Sequence, residues 1–476
     1  MSELAWSLTE EKAPRATDGQ FNGKGAAYHS SSIGEDRSKG LEMTRPVKGD
    51  ERFKALKGVL ARELRLQDET EEELVASVLL DELAASAARG AKRSAAIPLT
   101  LDVALLQDRR GVTGKKNPAN IARILEQLYS LGGGKDTVAE CWHASMVNAG
   151  STGLPPWADA AFGAIVPAPF EDAAGKLRQG TLSVPGAEER KPSWLGKAHQ
   201  SPFSWFARNW YKLCHGGWIE AMPRRRWTDW ASCVARTAIA TGFLFEMHVA
   251  RRLAAAIVAE DGDPRQAVAN ILADARTLLP WNAGLSRSAS DVGPVINRLS
   301  GAGTASLELL ERLTSGDDSE LGDLEVPAIA CFDSQEDGLA RWLEQARAKV
   351  RGNDSVEEAV TEALSAGVVG GARNTRETIR YSLLDRGTSV GTDLYALLKS
   401  AGNLTWVEPG QEWLIVVASL CADKPGGFCR LGDLKASLAE LGISASTPTV
   451  ISLLEKYGMA RSSHDADDAL EIQAGF

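Results

Sequence analysis

Residues 204–233 read SWFARNWYKLCHGGWIEAMPRRRWTDWASC and hold five of the chain's 13 tryptophans, Trp205, Trp210, Trp218, Trp227 and Trp230. A packed indole buries ~150–250 Å², so five in one hairpin must either sit in a core or line an aromatic groove. That restricts the fold more than any other feature of the sequence. Helical spacing from about Phe203 puts Trp205, Arg208 and Lys212 on one side and Phe206 and Trp210 on another, and His215-Gly216-Gly217 ends the helix. Arg224, Arg225 and Arg226 then precede a long helix predicted from about Asp229 to Glu260, interrupted only by Gly242.

Rings interleaved with cations suit a single-strand nucleic-acid track, where bases stack on aromatics and phosphates meet guanidiniums. An arginine triplet beside a helix N-terminus adds to the anion pull of the free amides there. The same run also suits a helical hairpin locked into a core, with its cations turned to an acidic protein surface. The reading adopted divides the run. The rings are expected in the core, and Arg224, Arg225, Arg226, Arg208 and Lys212 are expected to contact nucleic acid or an acidic partner.

Charge is unevenly spread. The net charge of −10 excludes a generally basic nucleic-acid coat protein, yet residues 199–252 carry eight basic and three acidic residues. Residues 307–364 carry fifteen acidic and five basic ones. Such asymmetry steers a polyanion toward one face. The acidic stretch fits a solvated helical surface, and it is also an internal candidate to pair with the arginines.

The chain's 476 residues allow about three domains, and β-type alternation is nearly absent before residue 400. The expected class is mainly α and multidomain, with helical N-terminal and central regions and a C-terminal domain of its own. Residues 1–42 read as a disordered leader, 43–150 as a helical domain and 151–203 as an irregular crossing rich in proline and glycine. Residues 204–305 form the Trp/Arg-rich helical domain and 306–366 the acidic helical region. Six cysteines without a CxxC pair make neither a disulfide framework nor a zinc ribbon. No apolar run approaches the ~18 residues of a membrane span, so a soluble, cytoplasmic protein with no membrane partner is expected. The alanine- and arginine-rich usage suits a bacterial source.

The last seventy residues carry the most readable order. GQEWLIVVASLCAD reads as a helix, KPGGFCR as a turn into a short strand, LGDLKASLAELG as a second helix and TPTVISLLEKYG as a third. MARSS and ALEIQ then read as strands joined by an acidic turn. Within the C-terminal domain, 409–476, residues 409–474 resemble the winged helix, a variant of helix-turn-helix. The resemblance implies a module that meets DNA or a protein, with Ser446, Thr447, Thr449, Ser452 and Lys456 as the contact face of the third helix. That helix has few cations, and Asp465, Asp467 and Asp468 in the turn have the wrong sign for phosphate. Protein contact is therefore expected over base reading. Upstream, Arg373, Arg376 and Arg380 make a basic segment. LYALLKSAGNLTWVEPG resembles a closing helix and wing strand, so 367–408 reads as a degenerate second winged helix or a helical linker.

Catalytic signatures fail on context. Gly387–Gly391 matches GxSxG but lacks a strand before the serine. GVTGKKNP has the wrong spacing for a phosphate loop, and Glu188–Lys191 lies in a Pro/Gly loop. Cys141 with His143, and Cys214, His215, Cys233 and His248, have no spacing that suits a structural zinc. No catalytic residue, metal or cofactor is expected. The expected role is a non-catalytic, nucleic-acid-associated adaptor subunit of a bacterial DNA-processing or phage-defence complex, docking protein partners through its winged helix. The alternatives are a winged-helix transcription regulator and an enzyme whose site is not legible.

Overall fold

The computed structural model describes residues 1–9, 46, 48–83, 97–106, 121–149, 154–155, 157–166, 170–183, 200–259, 262–282, 285–315, 335–385, 393–460 and 470–476. These residues are mainly helical. The N-terminal part holds α1 (Ser2–Ser7), α2 (Glu51–Leu64), α3 (Glu69–Glu82), α4 (Leu101–Ala104), α5 (Ile121–Leu131), α6 (Val138–Asn148), α7 (Ala158–Gly163) and α8 (Glu171–Gln179). The centre holds α9 (Pro202–His215), α10 (Trp218–Ala221), α11 (Arg224–Ile257), α12 (Pro264–Ala275), β1 (Leu279–Trp281), α13 (Gly293–Arg298), α14 (Thr304–Ser315), α15 (Gln335–Val350), α16 (Asp354–Ser365) and α17 (Gly370–Leu383). The C-terminal part runs β2 (Leu398–Ala401), β3 (Leu404–Val407), α18 (Gln411–Ser419), β4 (Phe428–Arg430), α19 (Leu431–Glu440), β5 (Ile443–Ala445), α20 (Thr447–Lys456) and β6 (Glu471–Gln473).

The organising element is α11, 34 residues long and buried on most of its circumference. A helix apolar on every side belongs at the centre of a core, and α9, α12, α14 and α17 all pack against it. Gly242 does not interrupt it. A methyl group there would come within 3.0 Å of Leu128 Cδ2 and 3.1 Å of Phe203 Cε1, so the glycine lets α5 and α9 pack close to this turn. The helix also starts earlier than its apolar pattern predicts. Pro223 is the N-cap residue and Arg224, Arg225 and Arg226 form the first turn, because Trp227 and Trp230 bury that turn and extend the apolar face backward.

A π turn, Leu299–Gly303, joins α13 to α14. Its glycines admit other backbone: a methyl at Gly303 would lie 2.6 Å from Met247 Cβ, and one at Gly301 would lie 2.6 Å from Ala366 O. Among the described residues, two small strand pairs tie distant segments together and a third is a local hairpin. β1 and β5 pair in parallel with Leu279 opposite Ile443, β2 and β3 form an antiparallel hairpin, and β4 pairs antiparallel with β6. Buried apolar side chains form one continuous cluster from Leu4 to Ala474, across the boundaries expected between separate domains.

Three expectations are corrected. Residues 1–9 are not a free leader: α1 buries Leu4, Ala5 and Leu8, while 10–42 lie outside the described residues. The 151–203 crossing contains α7 and α8, which bury Ala158, Ala161, Phe162, Ala173, Ala174 and Leu177 at helical spacing between the prolines. Leu394–Ala401 is no closing helix. Ala401 pairs with Leu404 across a two-residue Gly402-Asn403 turn with Gly402 at φ 58°, and that hairpin geometry overrides the leucine spacing.

Candidate nucleic-acid interface

All five hairpin tryptophans are buried. Three of them place their N–H on an acceptor: Trp205 Nε1 donates to Ser437 Oγ (2.8 Å), Trp210 Nε1 to Val138 O (3.2 Å) and Trp227 Nε1 to Leu213 O (3.0 Å). Trp218 and Trp230 pack on each other with ring centroids 5.4 Å apart. None of the five indoles is available to stack on a base; of the run's other rings, Phe206 is buried and Tyr211 is exposed.

The cations around these rings are also engaged, chiefly with the C-terminal part of the same chain. Arg208 donates to both carboxylate oxygens of Glu440, at 3.3 and 2.5 Å. Lys212 Nζ donates to Leu420 O and Ala422 O, each at 3.3 Å, and pairs with Asp423. Arg226 Nη1 sits 2.6 Å from Glu412 and 3.2 Å from the Tyr395 hydroxyl. Ten residues further along the same helix, Arg236 pairs with Asp393 at 3.0 Å. Burial opposes the charge on Arg236, and Asp393 together with Cys233 and Asp229 more than restores it. Arg225 pairs with Asp229 at 3.2 Å, yet burial still raises the Asp229 carboxyl.

Arg224 is the clearest correction. It is 2% exposed and reaches inward to Leu99 O (3.5 Å) and Met146 Sδ (3.8 Å), and burial lowers its pKa. Within the triplet, Arg224 thus belongs to the fold's interior, Arg225 pairs along its own helix and Arg226 joins the clasp on the C-terminal elements. The carboxylates that take up Arg208, Lys212 and Arg226 are Glu440, Asp423 and Glu412, all outside residues 306–366. Among the described residues, Glu357, Glu358 and Glu362 of that region stay exposed on α16. A concavity lined by Asp354, Glu357, Glu358 and Thr361 is a dent along that one helix, not a cleft between elements.

The Arg373–Arg380 segment has a different fate. α17 buries Ala372, Thr375, Thr378, Ile379 and Leu383, which leaves Arg373, Arg376 and Arg380 on the outer side at i, i+3 and i+7. Arg376 Nε donates to Asn297 Oδ1 at 2.6 Å, which brings α17 against the end of α13. Arg298, the next residue, is exposed and lies near Arg251 of α11. Burial lowers the Arg251 pKa and Arg298 and Arg252 lower it further, while Arg251 Nε is a buried donor without an acceptor. Arg373, Arg380, Arg298 and Arg251 have no carboxylate partner among the described residues. Tyr381, 40% exposed, sits beside Arg380.

On α20, Ser446 caps the helix and shares a hydrogen bond with Thr449 (2.7 Å), while Thr447 Oγ1 accepts from Lys435 Nζ (2.9 Å). Ser452 and Lys456 are exposed, with Lys456 Nζ 5.7 Å from the Tyr457 ring centroid. The acidic turn with Asp465, Asp467 and Asp468 lies outside the described residues, as do Gly387–Gly391, residues 111–118 and residues 188–191.

Sequence spacing missed one grouping. Among the described residues, Asp136, Cys141 and His215 bring three metal-ligating atoms within 4.8 Å of one another. His143 Nε2 instead donates to Leu177 O (2.8 Å), and His248 Nε2 donates to Ile271 O (3.2 Å). Burial pushes the Cys141 thiol up to about 11. Asp136 and His215 are far apart in sequence and meet only because α6 and α9 pack together, so no local motif announces them. No protein-family model matches the chain, and no curated protein matches it. No described helix is long and apolar enough to cross a membrane.

Proposed function

We propose that the chain is a non-catalytic, nucleic-acid-associated adaptor, a subunit of a bacterial DNA-processing or defence assembly. Nucleic acid meets the outer side of α17. The observation that carries this reading is that, among the described residues, Arg373, Arg380, Arg298 and Arg251 have no carboxylate partner, on a chain of net charge −10. Arg298 and Arg251 lie near enough to repel each other, and a phosphate backbone relieves such repulsion. Tyr381 beside Arg380 adds a ring next to the cations, a pairing that single-strand binders use.

The C-terminal elements serve the partner protein in this reading. Three helices, α18, α19 and α20, with the β4–β6 pair, support treating them as a winged helix. The side of that unit facing α9 and α11 is occupied by Arg208, Lys212 and Arg226, which leaves the Ser452 and Lys456 side of α20 and the exposed Phe428 for a partner. Fluorescence anisotropy with random-sequence duplex and single strands tests the nucleic-acid half. Weak binding that falls steeply with salt and ignores sequence is expected. Tight binding selective for one duplex sequence would favour a regulator instead, and no binding at low salt would remove the nucleic-acid role.

A further inference from the structure

Asp136, Cys141 and His215 come from three pieces of chain: the turn before α6, the second turn of α6 and the last residue of α9. Cys141 is held firmly. Thr137 and Glu140 form a capping box at the start of α6, and Glu126 of α5 accepts from the backbone N–H groups of Val138 (2.8 Å) and Ala139 (2.9 Å). The Tyr129 hydroxyl is 3.6 Å from Cys141 Sγ. The other two side chains are exposed and can adjust, and the Tyr211 ring stacks on His215 at 4.5 Å between centroids.

The surroundings favour a cation. Glu126 and Glu140 flank the thiol together with Asp136, and the C-terminal end of α9 turns its negative dipole end toward His215. Thiolate, imidazole and carboxylate together suit zinc rather than calcium or magnesium, which prefer oxygen alone. Tetrahedral zinc, with sulfur at ~2.3 Å and nitrogen or oxygen at ~2.0–2.2 Å, needs its ligand atoms about 3.3–3.7 Å apart. From the present 4.8 Å limit, that requires movement of about 1 Å by the exposed side chains.

We infer that Asp136, Cys141 and His215 form a zinc site of three protein ligands, with water in the fourth position, which pins the start of α6 to the end of α9. The site is separate from the α17 surface and does not depend on the proposed function. Metal-free full-length protein titrated with Zn²⁺ by calorimetry should bind one equivalent. Co²⁺ alone should give a thiolate-to-cobalt charge-transfer band in the near ultraviolet. His215→Ala and Asp136→Asn, both at exposed positions, should each weaken zinc binding by more than ~10-fold with unchanged far-ultraviolet circular dichroism. Cys141→Ser should abolish the cobalt band, and since that side chain is buried the two exposed variants decide if it fails to fold. Absence of the cobalt band in the unaltered protein, or zinc binding unaffected by both exposed variants, would overturn the assignment.

Discussion

At the scale of single residues, the tryptophans differ by what their N–H groups meet. Trp205 Nε1 donates to buried Ser437, whereas Trp230 Nε1 is buried without an acceptor. Phenylalanine at either position keeps most of the ring's volume, so the contrast isolates the hydrogen bond. Trp205→Phe should cost about 1 kcal/mol more than Trp230→Phe, read as a larger drop in the urea midpoint. His248 makes a second prediction. Burial lowers its pKa to about 4, against an ordinary value near 6.5. Between those values the unfolded chain binds the proton and the folded one does not, so stability is fully present above about pH 6.5 and is lost as pH falls toward 4. The full loss is on the order of 3 kcal/mol. Unfolding midpoints measured from pH 7 to pH 5 should fall, and should fall less in His248→Asn; equal slopes would contradict this.

At the scale of elements, Gly242 sets two effects against each other. Alanine in a helix interior is worth about 1 kcal/mol over glycine, but the added methyl would press on Leu128 and Phe203, and overpacking costs ~1–3 kcal/mol. Both neighbours are fully buried, so packing wins and Gly242→Ala should lower the melting temperature. A higher melting temperature would show that α5 and α9 can yield. Much at this scale was legible in the sequence. The ends of α9 follow from Ser201-Pro202 and His215-Gly216-Gly217, and α18, α19 and α20 lie where their apolar spacing puts them. What escaped was long-range. The β1–β5 pair joins residues more than 160 positions apart, and the carboxylates that take up Arg208 and Arg226 belong to Glu440 and Glu412. Charge counting along the chain pointed to residues 307–364 because nearness in sequence says little about which surfaces face each other. Of the basic residues singled out, those on α17 keep an outward side because Ala372, Thr375 and Ile379 at i+3 and i+4 take the inward one. Arg251 and Arg298 were missed, since only the packing of α11 against the π turn brings them near each other.

At the scale of the molecule, cations of one sign serve two ends. Arg208, Lys212 and Arg226 clasp the C-terminal elements onto α9 and α11, while Arg373 and Arg380 of α17 have no carboxylate partner among the described residues and are the proposed polyanion contacts. Partly exposed ion pairs of this kind contribute at most ~1 kcal/mol each, so removing the clasp should loosen the C-terminal elements without unfolding the core. Limited proteolysis of Arg208→Ala/Lys212→Ala/Arg226→Ala should then release fragments cut after residue 393 faster than in the unaltered chain, and an unchanged cleavage rate would argue against the clasp. The most direct test of the division is the salt dependence of DNA binding for that triple variant beside an α17-surface variant, Arg298→Ala/Arg373→Ala/Arg380→Ala. With three phosphate contacts removed, the α17 variant should lose affinity at low salt and its slope of log K against log salt should flatten by about 2–3, while the clasp variant keeps the slope of the unaltered chain. The reverse pattern, a flattened slope in the clasp variant and none in the α17 variant, would contradict the account.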